Sequence, residues 1–174
     1  MAERPFSVLF PCTGNSARSI MAECALSRWG RGRFHAYCRG SHPTGQVHPM
    51  TLRVLQDLHS RTERPRSRSW KEFTSPRAPA LDVVFTVCDS AAVEVCPVWP
   101  GQPITAHWGV EDPTAFRGPE DKTYKFFKRI HGHCDNRIKI FVSLPMASLD
   151  RPSLQERLDA IGQEMPREST VAGA

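Results

Sequence analysis

The chain has 174 residues, 40% hydrophobic and 24% charged, with a formal net charge of +5, which suits one domain with a substantial core. Its longest apolar runs, 6–11 and 81–87, are too short to cross a membrane, and the start of the chain has no signal-peptide layout, so a cytoplasmic location is expected. The densest basic run, 61–68, lacks interleaved aromatics and reads as a solvated connection, so nucleic acid is not an expected partner.

Residues 6–11 are almost continuously apolar, as in a strand buried on both faces. Cys12-Thr13-Gly14-Asn15-Ser16-Ala17-Arg18-Ser19 follows as a short polar loop running into a helix predicted over 17–30. A cysteine at a strand end is often a small buried hydrophobe. Here the thiol would lie at a helix amino terminus, where backbone N–H groups and the helix dipole favour an anion and push a thiol toward thiolate. Gly14 and Asn15 tolerate the left-handed backbone that converging amides require, and Arg18 offers a planar fork for two oxygens of a phosphate-like anion. Cys12 is therefore the candidate nucleophile. Thr13, Gly14, Asn15, Ser16, Ala17 and Arg18 form the candidate oxyanion cradle.

Within that helix Ile20, Cys24 or Ala25, and Trp29 are the expected inner stripe, and Gly30-Arg31-Gly32 ends it. A second strand is predicted over 34–40. His48-Pro49 opens a helix in which Leu52, Leu55 and Leu58 follow helical spacing, and 61–79 is irregular with a turn around 70–73. The clearest strand, 81–87, ends at Cys88. Residues 89–96 read as a short helix capped by Asp89 or Ser90 and stopped by Pro97. A fourth strand over 104–108 leads to Asp112. The composition of 138–142 suits a strand, yet Phe127, Ile130, Cys134, Ile138, Phe141 and Leu144 form a helical stripe, which predicts one helix over about 119–145. A last helix is expected over 152–163, with 1–165 as the domain and 166–174 as a loose tail.

Strands separated by helices predict an α/β domain: four parallel strands in the order 2-1-3-4, with helices on both faces. The crevice between the first and third strands is the ligand-binding switch point. It would bring Cys12 and Cys88 side by side, with Asp112 on the same rim. The six cysteines do not read as a disulfide framework. Cys88, Cys96 and His107 lack the spacing of a common zinc site, so no metal is expected there. Cys24, Cys38 and Cys134 are expected to pack, and His107 and Trp108 to support the Asp112 loop.

Residues 12–23, 87–97 and 107–113 together resemble the low-molecular-weight protein tyrosine phosphatase superfamily and, within it, the arsenate reductases that use three cysteines. The resemblance runs from about Phe6 through Leu149. It implies a phosphatase-like fold with Cys12 as nucleophile, Arg18 as oxyanion clamp, Ser19 as a hydroxyl supporting the thiolate, and Asp112 as general acid. Cys88 and Cys96 are similar in position to the redox pair of the reductases. Thr114-Ala115-Phe116 stands where phosphatases carry tyrosines that flank an aromatic substrate.

The reductase mechanism so implied has Cys12 attack arsenate, Cys88 attack the Cys12 sulfur with release of arsenite, and Cys96 form a final Cys88–Cys96 disulfide. An external thiol reductant collects it: thioredoxin, with glutathione and glutaredoxin as the other route, and no cofactor is bound. Residues eight apart on an intact helix stand about 12 Å apart, beyond disulfide reach, so 89–95 would have to unwind. Two other classes remain: a phosphatase whose extra cysteines protect Cys12 from overoxidation, and a noncatalytic anion-binding regulatory module. Some members hold potassium beside the loop. Asn15 and Glu23 fit that pattern, but Cys38 replaces a hydroxyl and Lys71 is expected to put its ammonium where the ion would sit.

Overall fold

In a computed structural model of the protein, the structure is described for residues 4–59, 67–88 and 99–164. In chain order the elements are β1 (Phe6–Cys12), α1 (Arg18–Trp29), β2 (Phe34–Gly40), α2 (Pro49–Asp57), a 3-10 turn (Trp70–Phe73), β3 (Val83–Thr86), β4 (Ile104–His107), a second 3-10 turn (Pro113–Ala115), α3 (Glu120–Val142) and α4 (Arg151–Gln163). The strands form one sheet in the order β2-β1-β3-β4, parallel throughout. This is the expected order, and it places β1 and β3 beside each other at the switch point. The predicted helix over 89–96, and with it Cys96, and the tail 166–174 lie outside the described residues.

Alternation along the central strands divides the core. Val8, Phe10, Val83 and Phe85 face Ile20 and Leu26 of α1, Ile138 and Phe141 of α3, and Leu154 and Leu158 of α4. Leu9 and Val84 face the other way, onto Trp70, Phe73, Leu81 and Trp99. Among the described residues, the 3-10 turn at Trp70–Phe73 therefore closes the second face, and the long helices lie over the first. A smaller cluster of Ala17, Met21, Val54, Phe127 and Ile130 joins α1, α2 and α3 next to the loop after β1.

The ambiguous stretch 138–142 is helical, because Phe127, Ile130, Cys134, Ile138 and Phe141 bury one continuous face of α3. Trp29 departs from expectation. It is 40% exposed, and Ile20, Met21, Ala22, Ala25 and Leu26 form the inner face of α1. Trp29 is the last residue of α1, and its indole donates to Asp135 Oδ1 of α3 at 2.7 Å, with Lys139 over its ring. In α2, Thr51, Val54 and Leu55 are buried, while Leu52 and Leu58 are half-buried. β3 is shorter than the predicted 81–87, spanning Val83–Thr86, with the Asp82 carboxylate accepting the Ser7 N–H at 2.8 Å just before it.

Candidate active site

The loop from Cys12 to Arg18 is held by its carbonyls. Cys12 O, Thr13 O, Gly14 O and Ser16 O accept the backbone N–H groups of Ser41, His42, Thr44 and His48 at 2.9–3.0 Å. The Thr51 hydroxyl also donates to Ser16 O at 3.2 Å. In a planar trans peptide the C=O and the next N–H point in opposite directions. Anchoring these four carbonyls outward therefore turns the N–H groups of Thr13, Gly14, Asn15 and Ala17 to the inner side, at the amino terminus of α1, in the arrangement that binds anions. Asn15 is wholly buried, with φ of 47°. Its amide donates to Ser19 Oγ at 2.9 Å and its Oδ1 accepts the Arg68 N–H at 2.6 Å. Gly40 of β2 passes so close beneath that a Cβ there would stand 2.7 Å from Thr13 O and 2.9 Å from Asn15 Cβ.

Arg18 does not wait unattached for an anion. Its Nη1 donates to Val110 O at 3.2 Å, and its Nη2 lies 3.4 Å from Asp112 Oδ2. The other Asp112 oxygen accepts the N–H and hydroxyl of Thr114 at 3.0 and 2.7 Å. One guanidinium thus ties the loop after β4 to the loop after β1, and Asp112 reaches the rim expected of it.

Cys12 and Cys88 meet. Both are buried, both are reduced cysteines, and the Cys88 sulfur lies 3.6 Å from Thr13 Oγ1. A hydrogen bond with Cys88 and burial push the Cys12 thiol well above the ordinary range, against the pull of the Arg18 charge and the Thr13 N–H. The expected drift toward thiolate is therefore reversed here: the loop's field is present, but the neighbouring sulfur and desolvation outweigh it. Of two thiols in contact, one ionises readily and the second does so only at much higher pH.

Two residues of the site were missed in the sequence. His48 caps α2 by accepting the Met50 N–H on Nδ1 at 3.1 Å and stacks on Phe127 with ring centroids 4.8 Å apart. Burial pushes its pKa down, opposed by the Asp112 charge. Arg137 of α3 is buried and donates to Trp108 O at 2.8 Å, Gly109 O at 3.0 Å and Gly162 O at 3.3 Å, gripping the chain that leads to Asp112. Its position on the buried stripe of α3 was the available signal. Trp108 supports the same loop as expected, stacked 3.7 Å from Phe85 and donating its indole N–H to Leu158 O at 2.9 Å. His107 Nδ1 lies 2.7 Å from Thr86 Oγ1. Cys38 and Cys134 are buried in packing positions, and Cys24 is half-buried.

The surroundings of Glu23 do not fit an alkali cation. Burial raises its carboxyl pKa, while the thiol and N–H of Cys38 and the charges of Arg39 and Arg68 hold it down. Hard cations take oxygen ligands in number. This carboxylate instead faces a thiol and two guanidinium charges. Lys71, expected to take the ion's place, is exposed on the first 3-10 turn, so the cations beside Glu23 are arginines.

Residues 7–152 match the family of low molecular weight phosphotyrosine protein phosphatases. The chain belongs to that family. An arsenate reductase of Halalkalibacterium halodurans is 30% identical over 134 residues, covering 77% of this chain and 93% of the relative. The crystal structure of an arsenate reductase from Archaeoglobus fulgidus superposes with a TM-score of 0.60 at 26% identity, over 79% of this chain and 99% of the other. A thioredoxin-dependent arsenate reductase of Corynebacterium glutamicum shares the fold, with a TM-score of 0.55 at 23% identity over 78% of this chain and 61% of that one. Among the described residues no helix is long and apolar enough to cross a membrane, and no group of three or more His, Cys, Asp or Glu side chains is arranged to hold a metal ion.

Proposed function

We propose that the protein reduces arsenate to arsenite. The observation that carries the reading is the Cys88 thiol lying against Cys12 at the switch point, both reduced. Phosphate-ester hydrolysis does not need a second buried sulfur there, and the similar proteins named above are arsenate reductases. The sole aromatic residue just after Asp112-Pro113, Phe116, stacks on Phe126 of α3 at 5.2 Å. It is spent in packing rather than free to flank an aromatic ester.

In this reading the inward N–H groups of 13–17 and the Arg18 fork bind arsenate. Cys12 sulfur attacks arsenic, and an oxygen departs with the proton that Asp112 supplies. The Ser19 hydroxyl, fixed by Asn15, supports the Cys12 thiolate. Cys88 sulfur, oriented beside Thr13, then attacks the Cys12 sulfur. The S–As bond breaks with its electron pair going to arsenic, arsenic(V) becomes arsenic(III), and arsenite leaves behind a Cys12–Cys88 disulfide. Cys96 attacks Cys88, frees Cys12 and leaves Cys88–Cys96 for an external dithiol. That dithiol is thioredoxin, with glutathione and glutaredoxin as the alternative.

The family and the anion loop also suit a second reading, hydrolysis of phosphate monoesters with water cleaving the Cys12 adduct. Single-turnover arsenite release, with thiols counted before and after, separates the two. Reduced wild-type protein should release one arsenite and lose two thiols. Cys88→Ser should release none while still hydrolysing p-nitrophenyl phosphate, and Cys96→Ser should stop after one turnover with Cys12–Cys88 oxidised. A reduced wild-type protein that yields no arsenite defeats the proposal.

A further inference from the structure

Asp112 carries its carboxylate on an exposed stretch, with 39% of the side chain open to solvent, so its place must be set by what holds the chain on either side. Downstream, Oδ1 accepts the N–H and the hydroxyl of Thr114 at 3.0 and 2.7 Å, which ties the carboxylate to the 3-10 turn Pro113–Ala115. That turn closes with the Phe116 N–H donating to Pro113 O at 3.2 Å, and Arg117 Nη1 donates to Thr114 O at 3.1 Å. The carboxylate, the turn and Phe116 therefore move as one piece. The piece is fastened at its ring: Phe116 stacks on Phe126 of α3 with centroids 5.2 Å apart and planes 19° apart, both rings half-buried. Gly118 leaves room for the stack, since a Cβ there would stand 2.9 Å from Phe116 Cε1.

Upstream of Asp112 the chain reaches the same ring by another route. Glu111 Oε2 lies 3.5 Å from Arg129 Nη2, and the Arg129 guanidinium lies over Phe126, 4.7 Å from its centroid. The two routes are not equal. Glu111 and Arg129 are both mostly exposed, and an exposed ion pair contributes little, whereas a stacked aromatic pair adds to the area it buries and a cation over the ring adds to that. Both flanks of Asp112 are thus fastened to one side chain of α3, and the stack is the stronger tie. These ties differ from the Arg137 contacts, which hold the carbonyls of Trp108 and Gly109 and end before Asp112.

We propose that Phe126, with Phe116 on one flank of Asp112 and the Glu111–Arg129 pair on the other, is a clasp that sets where the Asp112 carboxyl stands over the anion loop. Phe116, Phe126 and Arg129 are positioning residues. They act through Asp112 on the step in which the departing oxygen leaves with its bonding pair and takes the Asp112 proton. That step is steep in distance, because proton transfer needs the donor within hydrogen-bond reach and a displacement of about 1 Å can cost roughly a hundredfold in rate. The proposal rests on Asp112 as the proton donor and not on the second sulfur, so it can fail while arsenate reduction stands.

Its test is single-turnover arsenite release by the full-length reduced protein across arsenate concentrations, for wild type, Phe116→Leu, Phe116→Tyr, Arg129→Gln and Asp112→Asn, and for Phe116→Leu combined with Asp112→Asn. Asp112→Asn should slow release at saturating arsenate by roughly a hundredfold, the scale of a lost general acid. Phe116→Leu should slow it by roughly tenfold and Arg129→Gln by about twofold, each with the half-saturating arsenate concentration unchanged. Phe116→Tyr keeps the stack and should retain the wild-type rate. In the double variant, Phe116→Leu should add less than about twofold to the loss from Asp112→Asn, a pattern that general damage to the loop would not produce. Where Phe116→Leu does not fold, Gly118→Ala, whose methyl group crowds the Phe116 ring, takes its place. A wild-type rate in Phe116→Leu overturns the clasp, and so does full additivity with Asp112→Asn or a loss explained by weaker arsenate binding. An unchanged rate in Asp112→Asn overturns the proton-donor assignment and the clasp with it. If wild type releases no arsenite, hydrolysis of phenyl phosphate carries the same comparisons, and a protein inactive on both substrates overturns the proposal.

Discussion

Replacing Arg137 with Met tests whether the path to Asp112 is held from α3. The exchange keeps an unbranched apolar stem on the buried stripe and deletes donors to Trp108 O, Gly109 O and Gly162 O. A hydrogen bond from a charged donor is worth about 1.5–3 kcal/mol, and a carbonyl left buried and unpaired costs about 1–3 kcal/mol. Against these gains stands the desolvation of the guanidinium, which is real here because burial lowers the Arg137 pKa and which cancels much of the sum. The expected net loss is about 2–4 kcal/mol, read as a lower urea midpoint at unchanged slope. The functional effect should be selective. Arg137 touches the segment before Asp112 and not the Cys12–Ser19 loop, so turnover should fall by about tenfold while phosphate affinity stays near that of wild type. A stability loss under about 1 kcal/mol, or an affinity loss as large as the loss in rate, refutes the reasoning.

Three further outcomes follow from the same geometry. Gly40→Ala puts a methyl group against Thr13 O and Asn15 Cβ, both on the rigid loop, and should abolish phosphate binding in calorimetry even where circular dichroism shows a folded protein; retained binding refutes it. Cys88→Ala removes the leading cause of the raised Cys12 pKa, so iodoacetamide at neutral pH should label Cys12 faster than in wild type, as mapped by mass spectrometry; equal or slower labelling counts against the coupling. Asp150 caps α4 by accepting the Ser153 N–H at 2.8 Å, and hydrogen bonds from the Ser153 side chain and then its N–H lower the Asp150 pKa in the folded state. Its contribution is therefore present above the unfolded value of about 3.9 and is lost as pH falls through the folded value. Asp150→Asn keeps a good cap without the titration, so its stability should fall less than that of wild type in acid, as followed by urea melts across that range.

Much of the fold was legible because its patterns are local. The apolar strand at β1, the polar loop after it and the helix opening at Arg18 lie in one short stretch, and strand order follows from the alternation of strands with helices. The 138–142 ambiguity was decided by its neighbours, since a five-residue apolar run cannot choose between periods alone while the stripe from Phe127 to Phe141 can. What sequence could not give depends on contacts distant in the chain. Trp29 has the spacing of the inner stripe, yet it ends α1, and its indole N–H is taken by Asp135 of α3. Arg137 on the buried stripe of α3 and His48, the half-buried cap of α2, are polar residues whose partners, Trp108, Gly109 and Phe127, are set by tertiary packing. Arg68 sat inside a run that composition marks as solvated, yet its backbone closes on Asn15. The pairing of Cys12 with Cys88 was legible from topology, but the sign of its effect on the Cys12 pKa was not, because two opposing causes had to be weighed.

The anion loop is thus held from two sides that answer different demands. On one side the backbone strap at 67–69 and Gly40 fix its shape through Asn15. On the other, Arg18 connects it to Val110 and Asp112, and Arg137 holds the base of that second loop. A tetrahedral oxyanion in the cradle would draw the Arg18 fork and so loosen its contact to Asp112. The strap makes its contacts at Asn15 and Gly40, so the cradle can keep its form while the Arg18–Asp112 contact changes. Within the cradle the Arg18 charge pulls the Cys12 thiol down while the hydrogen bond with Cys88 and burial push it up, so an anion that engaged the guanidinium would remove part of that pull.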